Sequence, residues 1–486
     1  MNTAPNTIAK NYSTSIVFLA VTALAILFLT FTANFMLLHH DIWWHIAVGD
    51  LIRKSGSLPA HDIWSYTAGD KAFYILSWLW DVGFSFLNQH IGLENTLRLQ
   101  IFIIACTYGL IAAITTRLSQ APGLSLIITI FLLIISFTYM LPDVPLSLSP
   151  QTFSVTLAVL WLALTFRLTE TNSNIAFILL LIIFTIWVNT HGGFIIALSI
   201  TGGFGIQALL QKNKTIFIKL LILGIICLLL ISLNPLGFDI LTVQKSIFNH
   251  PSKNHISEWG SFSTVKSIPA YIFVIAGIAG IIFRLRNDKL IGLRIVALLW
   301  LFAGYSEKRH MIYFMLFSSP FIVIMLAAAF RRISDLKFPQ NPGKSLLLVL
   351  SLALVGTIFI WRSIYPQIIG IPHNIYPVKE TEFIEKNYPP QKIYNDWNFG
   401  SYLIYKTGTK YPIYIDGRSN IAYPDSLFVF DEQFTDEYEK MEAIHAKYDV
   451  NLALIRKYPL IKREIPADSK WKKVFEGEIA EIWERE

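Results

Sequence analysis

The segment His39-His40-Asp41-Ile42-Trp43-Trp44-His45 carries an acid and an imidazole four residues apart, directly after the first long apolar run. A carboxylate at a membrane boundary is costly unless it is solvated or used. Asp41 could serve as a general base, or Asp41 and His45 could bind a divalent metal such as Mg²⁺ or Mn²⁺. Alternatively, Asp41 caps a helix that begins at Ile42, and the aromatic residues anchor that helix at the headgroups.

A second acid, Asp143, lies between Pro142 and Pro145, which hold its loop out of helical form. It could complete a two-carboxylate catalytic or metal site with Asp41. The alternative is a solvated turn residue.

A tight turn is predicted at Trp187-Val188-Asn189-Thr190-His191-Gly192-Gly193-Phe194, where two glycines let the backbone approach a ligand or a neighbouring helix. His191 could contact a phosphate or a metal. The alternative is that the turn needs glycine for its geometry alone.

Cations cluster at Glu307-Lys308-Arg309-His310, at the start of another apolar segment. A guanidinium and an ammonium suit the charge of a lipid-linked phosphate or diphosphate, so Lys308, Arg309 and His310 are candidate ligands of a leaving group. The alternative is an internal ion pair with Glu307 or with an acid of another loop.

About eleven apolar segments, most of them near the 20 residues that span a bilayer, must position these residues. The predicted segments are residues 14–38, 98–117, 123–142, 150–167, 174–190, 192–210, 216–234, 268–284, 289–306, 311–330 and 344–361. With the N-terminus in the cytoplasm, the inside loops collect most of the Lys and Arg between these segments, as the positive-inside rule requires. Every candidate residue for chemistry then lies on the outer face.

Composition supports a membrane protein, because 54% of the residues are hydrophobic and only 15% are charged. The net charge of +7 reflects cytoplasmic Lys and Arg next to anionic lipid, and we do not infer nucleic-acid binding from it. Cys106 and Cys227 both lie in apolar segments, which excludes a disulfide framework and a cysteine metal site. A bacterial inner membrane fits this charge pattern.

The chain divides near residue 362 into a helical bundle, residues 1–362, and a soluble extracytoplasmic α/β domain, residues 363–486. The bundle includes a large first external loop, residues 39–97, in which the aromatic run 73–87 is predicted to be an interfacial helix. The tail alternates between helical periodicity and strand-like runs. Helices are predicted at 379–388, 401–406 and 436–447, and strands at 392–394, 411–415, 451–455, 473–475 and 480–483.

Two motifs of the tail, Asn395-Asp396-Trp397-Asn398-Phe399-Gly400 and Asp416-Gly417-Arg418, carry side chains that could position hydroxyls or phosphates. A structural alternative is a strand-ending turn at Asp416 and a core position for Trp397.

These motifs are similar to the WWDYG segment and the following DGG stretch of oligosaccharyltransferase catalytic subunits. With Asp41 after the first segment and Asp143 in a later loop, the chain resembles the GT-C superfamily of polytopic membrane glycosyltransferases. Here, however, Asp396 precedes Trp397, where that family has Trp-Trp-Asp. The resemblance implies the fold and a polyprenyl-linked sugar donor, and leaves the acceptor open.

The expected function is therefore transfer of a sugar or oligosaccharide from a polyprenyl phosphate or diphosphate, on the extracytoplasmic face. Asp41 and Asp143 are the expected catalytic or metal-binding acids. Expected substrate ligands are His45, His191, Lys308, Arg309, His310, Asp396, Trp397, Asp416 and Arg418. A transporter or flippase of a lipid-linked or anionic substrate is one alternative, and a non-catalytic membrane assembly protein is another.

Overall fold

The computed structural model describes residues 40–138, 149–249, 257–283, 289–333, 371–458 and 462–486. Two of the predicted apolar segments, 14–38 and 344–361, and the candidate acid Asp143 lie outside these residues. Contacts divide the chain into two compact units. Among the described residues, the first comprises 97–138, 149–235, 257–283 and 289–333, and the second comprises 40–96, 236–249, 371–458 and 462–486.

The first unit is a set of apolar helices. In chain order, the helices up to Ile333 are α1 Ile42–Ser55, α2 Trp78–Ser119, α3 Pro122–Thr138, α4 Pro150–Thr171, α5 Asn174–Val188, α6 Ile195–Leu210, α7 Lys214–Leu230, α8 Asp239–Asn249, α9 Ile268–Ile282, α10 Ile291–Ser306 and α11 Met311–Ile333. Of these, α1, α8 and the first part of α2, residues 78–96, belong to the second unit. Short 3₁₀ turns precede α6 and α11.

Five of these helical runs are long and apolar enough to cross a membrane, and four shorter apolar helices accompany them in the described part of the chain. Together they coincide with nine of the predicted segments. Large apolar side chains such as Ile175, Leu229 and Phe302 are 67%, 61% and 76% exposed, respectively, which suits contact with lipid. The described residues therefore fit a polytopic helical membrane protein.

Polar caps set where the apolar helices begin. The side chains of Ser149, Ser173, Asn213 and Ser267 each accept a hydrogen bond from a backbone N–H in the first turn of the helix that follows. Such a cap satisfies an N–H group that the helix itself leaves without a partner, which matters most where water is absent. Short polar residues before apolar runs therefore mark the helix starts in this sequence.

Helix α2 consists of two helical parts, of which the first begins at Trp78 within the predicted 73–87 run and the second contains the predicted 98–117 segment. Gly92 has φ 80° and ψ 161°, which breaks the helical geometry within the run. Because only glycine adopts such angles without strain, Gly92 divides α2 into two straight parts. The interfacial position of the first part stays a prediction.

The second unit contains α1, α8 and the whole described tail. The tail comprises α12 Val378–Asn387, β1 Ile393–Asn395, α13 Trp397–Thr407, α14 Ser419–Ala422, α15 Asp425–Asp431, α16 Glu437–Tyr448, β2 Leu452–Arg456, β3 Trp471–Glu476 and β4 Ala480–Arg485. The four strands form one sheet in the order β1-β2-β4-β3, in which β1 and β2 are parallel and the other pairs are antiparallel. The helices and strands of the tail are close to those predicted, except that the short helices α14 and α15 were not predicted and that two predicted elements differ.

The first exception is the segment 411–415, for which the prediction of a full strand is wrong. Ile413 makes only isolated parallel bridges, to Ser65 and to Ile393. Pro412 has no N–H to donate, and the N–H of Tyr414 donates instead to the side-chain Oδ1 of Asn395 at 2.8 Å. The ladder therefore stops after one residue on each side.

The second exception is α13, which begins at Trp397 rather than at residue 401. Asp396 caps it, because its carboxylate accepts a hydrogen bond from the N–H of Asn398 at 2.9 Å. Phe399 consequently faces the core and is 2% exposed. The motif around Trp397 is therefore the start of a helix.

One apolar core joins residues of the first external loop to those of the tail. It includes Trp44 and Val48 of α1, Trp64 and Phe73 of the loop, and Leu454 of β2. Residues 34–96 and 236–256, which the sequence analysis assigned to the bundle, thus belong to the same compact unit as residues 368–486. This unit holds most of the candidate site.

Candidate functional site

Asp41 lies at the N-cap position of α1, but its side chain makes no capping hydrogen bond. Its carboxylate lies instead against Gly417, where a Cβ built on the glycine would overlap Asp41 Oδ1. Asp41 thus stands at the start of α1 without capping it through its side chain, which contacts Gly417 of the Asp416-Gly417-Arg418 motif instead. Two motifs 376 residues apart in sequence are brought together in this way.

The buried phenol of Tyr376 lies close enough to Asp41 to feel its charge. Tyr376 is fully buried, and its ring lies 5.1 Å from that of Trp43. Burial raises the pKa of Tyr376 well above its usual value, and the charge of the Asp41 carboxylate raises it further. The phenol therefore stays neutral at physiological pH beside the acid.

Arg418 is the centre of a buried network behind Gly417. Its Nε donates to both Asp416 oxygens at 2.9 Å, and its Nη1 donates to Asp62. Its Nη2 donates to Ser65 Oγ at 2.7 Å and to the Tyr423 hydroxyl at 3.1 Å. Arg418 and Asp416 are 1% and 0% exposed. The guanidinium thus crosslinks the turn that carries Gly417 to the loop of residues 56–77 between α1 and α2.

The charges in this network depend on one another. Burial alone would lower the pKa of Arg418, but the Asp416 and Asp62 carboxylates hold it well above its usual value. Burial also raises the pKa of Asp416, against the opposing effect of the Arg418 charge. The sequence analysis missed the role of Asp62, and the only signal for it was an acid in a loop rich in aromatic residues.

Gly417 should be sensitive to substitution because it has no room for a side chain. For the glycosyl transfer predicted from the sequence, with Asp41 as the predicted base, we expect Gly417→Ala to lower the rate by about 10²-fold, since a displacement of about 1 Å of a reacting group has an effect of that size. The measurement is the transfer rate of the purified variant. Gly83→Ala is the matched control, because nothing lies near the Cβ it would add. Equal rates for Gly417→Ala and the native protein would contradict a requirement for this close approach.

His45 is held by an acid that the sequence analysis did not select. Its Nδ1 lies 2.6 Å from Oδ1 of the fully buried Asp81, whose oxygens each accept a bond from Ser77 Oγ at 3.1 Å. The His45 ring also stacks on Trp44 at 3.6 Å. The structure thus places His45 in a buried pair with Asp81, and a role for it in binding substrate stays a prediction.

Asp396 and Trp397 have structural partners in the tail. Besides capping α13, Asp396 accepts a hydrogen bond from Arg456 Nη2 at 3.1 Å. Trp397 is partly buried, and its ring lies 5.7 Å from that of Phe428. These contacts agree with the structural alternative, and substrate binding by either residue stays a prediction.

His191 lies in the first unit, in the turn before α6. Its Nδ1 accepts a hydrogen bond from the N–H of Gly193 at 3.0 Å and lies 2.8 Å from Ser154 Oγ. Ser154 Oγ in turn accepts a bond from Trp187 Nε1 at 2.8 Å. This arrangement leaves Nδ1 unsuited to binding a metal.

The cationic cluster is also in the first unit and is largely paired internally. Arg309 lies 3.4 Å from Glu307 and 3.6 Å from Glu258, and its guanidinium stacks 3.6 Å from the Trp259 ring centre. His310 Nδ1 lies 3.6 Å from Glu307. The internal ion pair of the sequence analysis is therefore present, and phosphate binding by Lys308, Arg309 and His310 stays a prediction.

Within the described ranges, no three His, Cys, Asp or Glu side chains form a group that could hold a metal ion. Asp143, the predicted partner of Asp41, lies outside those ranges. The described residues thus do not form a site for a divalent metal, and we assign a metal no step in the reaction.

Comparison with solved structures finds proteins with a similar overall fold. No protein-family model and no curated protein matches the sequence. Among solved structures, the oligosaccharyltransferase AglB of Archaeoglobus fulgidus, in complex with an inhibitory peptide and a dolichol-phosphate, matches with a TM-score of 0.57 at 13% identity. That match covers 92% of this chain and 70% of the other.

Two further solved structures are similar. The Archaeoglobus fulgidus oligosaccharyltransferase in complex with Zn and sulfate has a TM-score of 0.54 at 14% identity, over 91% of this chain and 68% of the other. ArnT of Cupriavidus metallidurans, bound to undecaprenyl phosphate, has a TM-score of 0.53 at 11% identity, over 96% of this chain and 97% of the other. Since these neighbours are GT-C glycosyltransferases and the match spans nearly the whole chain, the predicted resemblance is confirmed: the protein has the GT-C glycosyltransferase fold.

Proposed function

We propose that this protein is an integral membrane glycosyltransferase that moves a sugar or oligosaccharide from a polyprenyl phosphate or diphosphate to an acceptor. The observation that carries the donor class is the fold, which it shares with one protein solved with a dolichol-phosphate and another solved with undecaprenyl phosphate. The fold by itself leaves the chemistry open. The placement of Asp41 supports a transferase.

The reaction that we assign to Asp41 is proton removal from the acceptor. The acceptor hydroxyl or amide attacks the anomeric carbon of the donor sugar while the bond from that carbon to the phosphate oxygen breaks. The bonding electrons leave with the phosphate, and the acceptor proton passes to the Asp41 carboxylate. A base in this place contributes about 10²–10⁴-fold to the rate.

We assign Gly417 and the Arg418 network the role of holding Asp41 in place for this step. The network fixes the turn, and the turn presents bare backbone to Asp41. Preorganisation of this kind keeps a reacting group at its productive distance. We also propose that Asp143 assists Asp41 and that Lys308, Arg309 and His310 neutralise the departing phosphate, for which Arg309 would have to exchange part of its contact with the two glutamates.

The proposed orientation follows the charge pattern of the sequence. The protein lies in a bacterial inner membrane, with the N-terminus in the cytoplasm and residues 363–486 in the periplasm. Asp41 and the tail then meet the lipid-linked donor on the outer leaflet. We include a divalent metal in this proposal only as an ion that Asp143 would bind together with Asp41.

A direct assay tests the proposal. The purified full-length protein is incubated with undecaprenyl phosphate carrying radiolabelled sugar, together with membrane extract from cells that lack the protein as a source of acceptor. We expect undecaprenyl phosphate to be released and the label to move to the acceptor. In parallel, the cells that lack the protein should accumulate a lipid-linked saccharide.

The alternatives give different results in the same experiment. A transporter or flippase would move the labelled lipid across sealed vesicles without cleaving it. An assembly protein would neither move nor cleave the labelled lipid, and deletion of residues 363–486 would have the same effect on cells as loss of the whole protein. Failure to cleave any polyprenyl-linked sugar, together with no accumulation in cells, would overturn the proposal.

A further inference from the structure

Helix α1 is fastened to the first part of α2 by contacts that recur once per helical turn, within the second unit. The three contacts join residues that lie 36 positions apart: His45 with Asp81, Gly49 with Ser85, and Arg53 with Gln89. On each helix the contacting residues are four apart, which is about one turn. Their order is the same on both helices, so α1 and the first part of α2 run in the same direction.

These contacts are close, and the first is shielded from solvent. Nδ1 of His45 lies 2.6 Å from Oδ1 of Asp81, and the two residues are 5% and 0% exposed. A Cβ built on Gly49 would overlap the carbonyl oxygen of Asp81 and would lie 2.6 Å from Cβ of Ser85. Arg53 Nη1 also donates to Ser85 Oγ at 3.0 Å. The two helices therefore touch directly at Gly49, with a polar contact on either side.

The contact at His45 is the one nearest to Asp41. The N–H of His45 donates to the C=O of Asp41 at 3.1 Å, in the first turn of α1. The Asp41 carboxylate in turn lies against Gly417, whose turn is held separately by the Arg418 network. A shift of α1 along α2 would therefore move Asp41 relative to Gly417.

A buried polar pair is suited to preventing such a shift. Apolar contacts are non-directional and are compatible with several registers of two helices. A buried polar pair is compatible with one, because any other register leaves its members without partners, and a single buried polar residue can fix the register of a coiled coil. The reaction assigned to Asp41 uses neither His45 nor Asp81, although both are buried and ionisable.

We propose that the His45–Asp81 pair sets the register of α1 and thereby places the Asp41 carboxylate against Gly417. His45 is then a positioning residue, in place of the substrate ligand that the sequence predicted. This inference rests on the function proposed above, in which Asp41 is the base.

Replacing both members of the pair by apolar residues separates register from stability. The double variant His45→Leu/Asp81→Val leaves neither member of the pair buried without its partner, so it should melt no lower than the native protein. Asp81→Val alone leaves the imidazole without its acceptor and should melt several degrees lower. With radiolabelled undecaprenyl phosphate sugar, kcat of the double variant should nevertheless fall roughly tenfold with KM unchanged, because a small displacement of the base slows the reaction.

A second measurement does not depend on activity. Asp41→Cys and Gly417→Cys are introduced into the full-length protein together with Cys106→Ala and Cys227→Ala. Mild oxidation should join the two new cysteines readily, because the side chain at position 41 lies against position 417. Adding the apolar double replacement should slow this crosslinking severalfold, since the two cysteines then meet less often in a geometry that allows a disulfide.

Tyr388→Phe is the control for both measurements, because it removes a 3.0 Å hydrogen bond to Glu484 in the same unit. It should change neither kcat nor the crosslinking rate. The inference is overturned if the apolar double replacement leaves crosslinking as fast as before. A lower kcat in that case would mean that His45 acts on the substrate itself. If crosslinking slows but kcat is unchanged, or the native protein transfers no sugar, it is the proposed function that fails.

Discussion

Asp41→Asn is expected to lower the rate of sugar transfer by about 10²–10⁴-fold, because an amide cannot take up the acceptor proton. The substitution keeps the size of the side chain, so the carboxamide should still fit against Gly417. Binding of the donor should therefore change much less than turnover. The measurement is kcat and KM for a radiolabelled undecaprenyl phosphate sugar with the purified variant.

Asp70→Asn is the control for Asp41→Asn. Asp70 belongs to the same compact unit and is exposed, so removing its charge should leave the rate unchanged. Cells carrying Asp41→Asn at normal abundance should accumulate the same lipid-linked saccharide as cells without the protein. If they do not, Asp41 is dispensable, and the transporter and assembly alternatives gain.

Arg418→Leu is expected to lower the stability of the second unit by about 3–5 kcal/mol, because it leaves two buried carboxylates without their counter-charge. The second unit has an apolar core of its own, so the loss of stability should be measurable in that unit alone. Hydrogen exchange of the purified full-length protein measures it. Amides of residues 411–423 and 452–456 should exchange faster by about two to four orders of magnitude.

Arg485→Leu is the control for Arg418→Leu, because Arg485 pairs with a partly exposed Glu442 at 3.3 Å. An ion pair of that kind contributes only about 0–1 kcal/mol. Adding Asp416→Asn to Arg418→Leu should recover part of the loss, because it removes one of the uncompensated charges. A loss no greater than that of Arg485→Leu would mean that the buried network contributes little to stability.

Much of the fold could be predicted from residues close together in the sequence. Apolar runs of membrane length gave the helices, and short polar residues such as Ser149 and Ser267 set their first turns. Strand-like runs in the tail gave β2 and β4, because the preference for an extended backbone is encoded locally. Asp41 stood out because acids are rare at the end of an apolar segment.

Errors arose where a distant residue replaced a local partner. The segment around Ile413 has strand-forming residues, yet the side chain of Asn395 occupies the N–H that a ladder would use. The predicted separation of the 73–87 run from the 98–117 segment, by contrast, agrees with the structure, because the non-helical backbone of Gly92 lies between them.

The sequence by itself determined the membrane character of the chain, the α/β character of the tail and the acids available for chemistry, since each depends on composition or short-range periodicity. Only the tertiary structure decided which of these residues meet. The contacts of Asp41 with Gly417, of Arg418 with Asp62 and of His45 with Asp81 join positions 376, 356 and 36 residues apart. No local pattern encodes them, because a buried charge selects its partner by the packing of the whole unit.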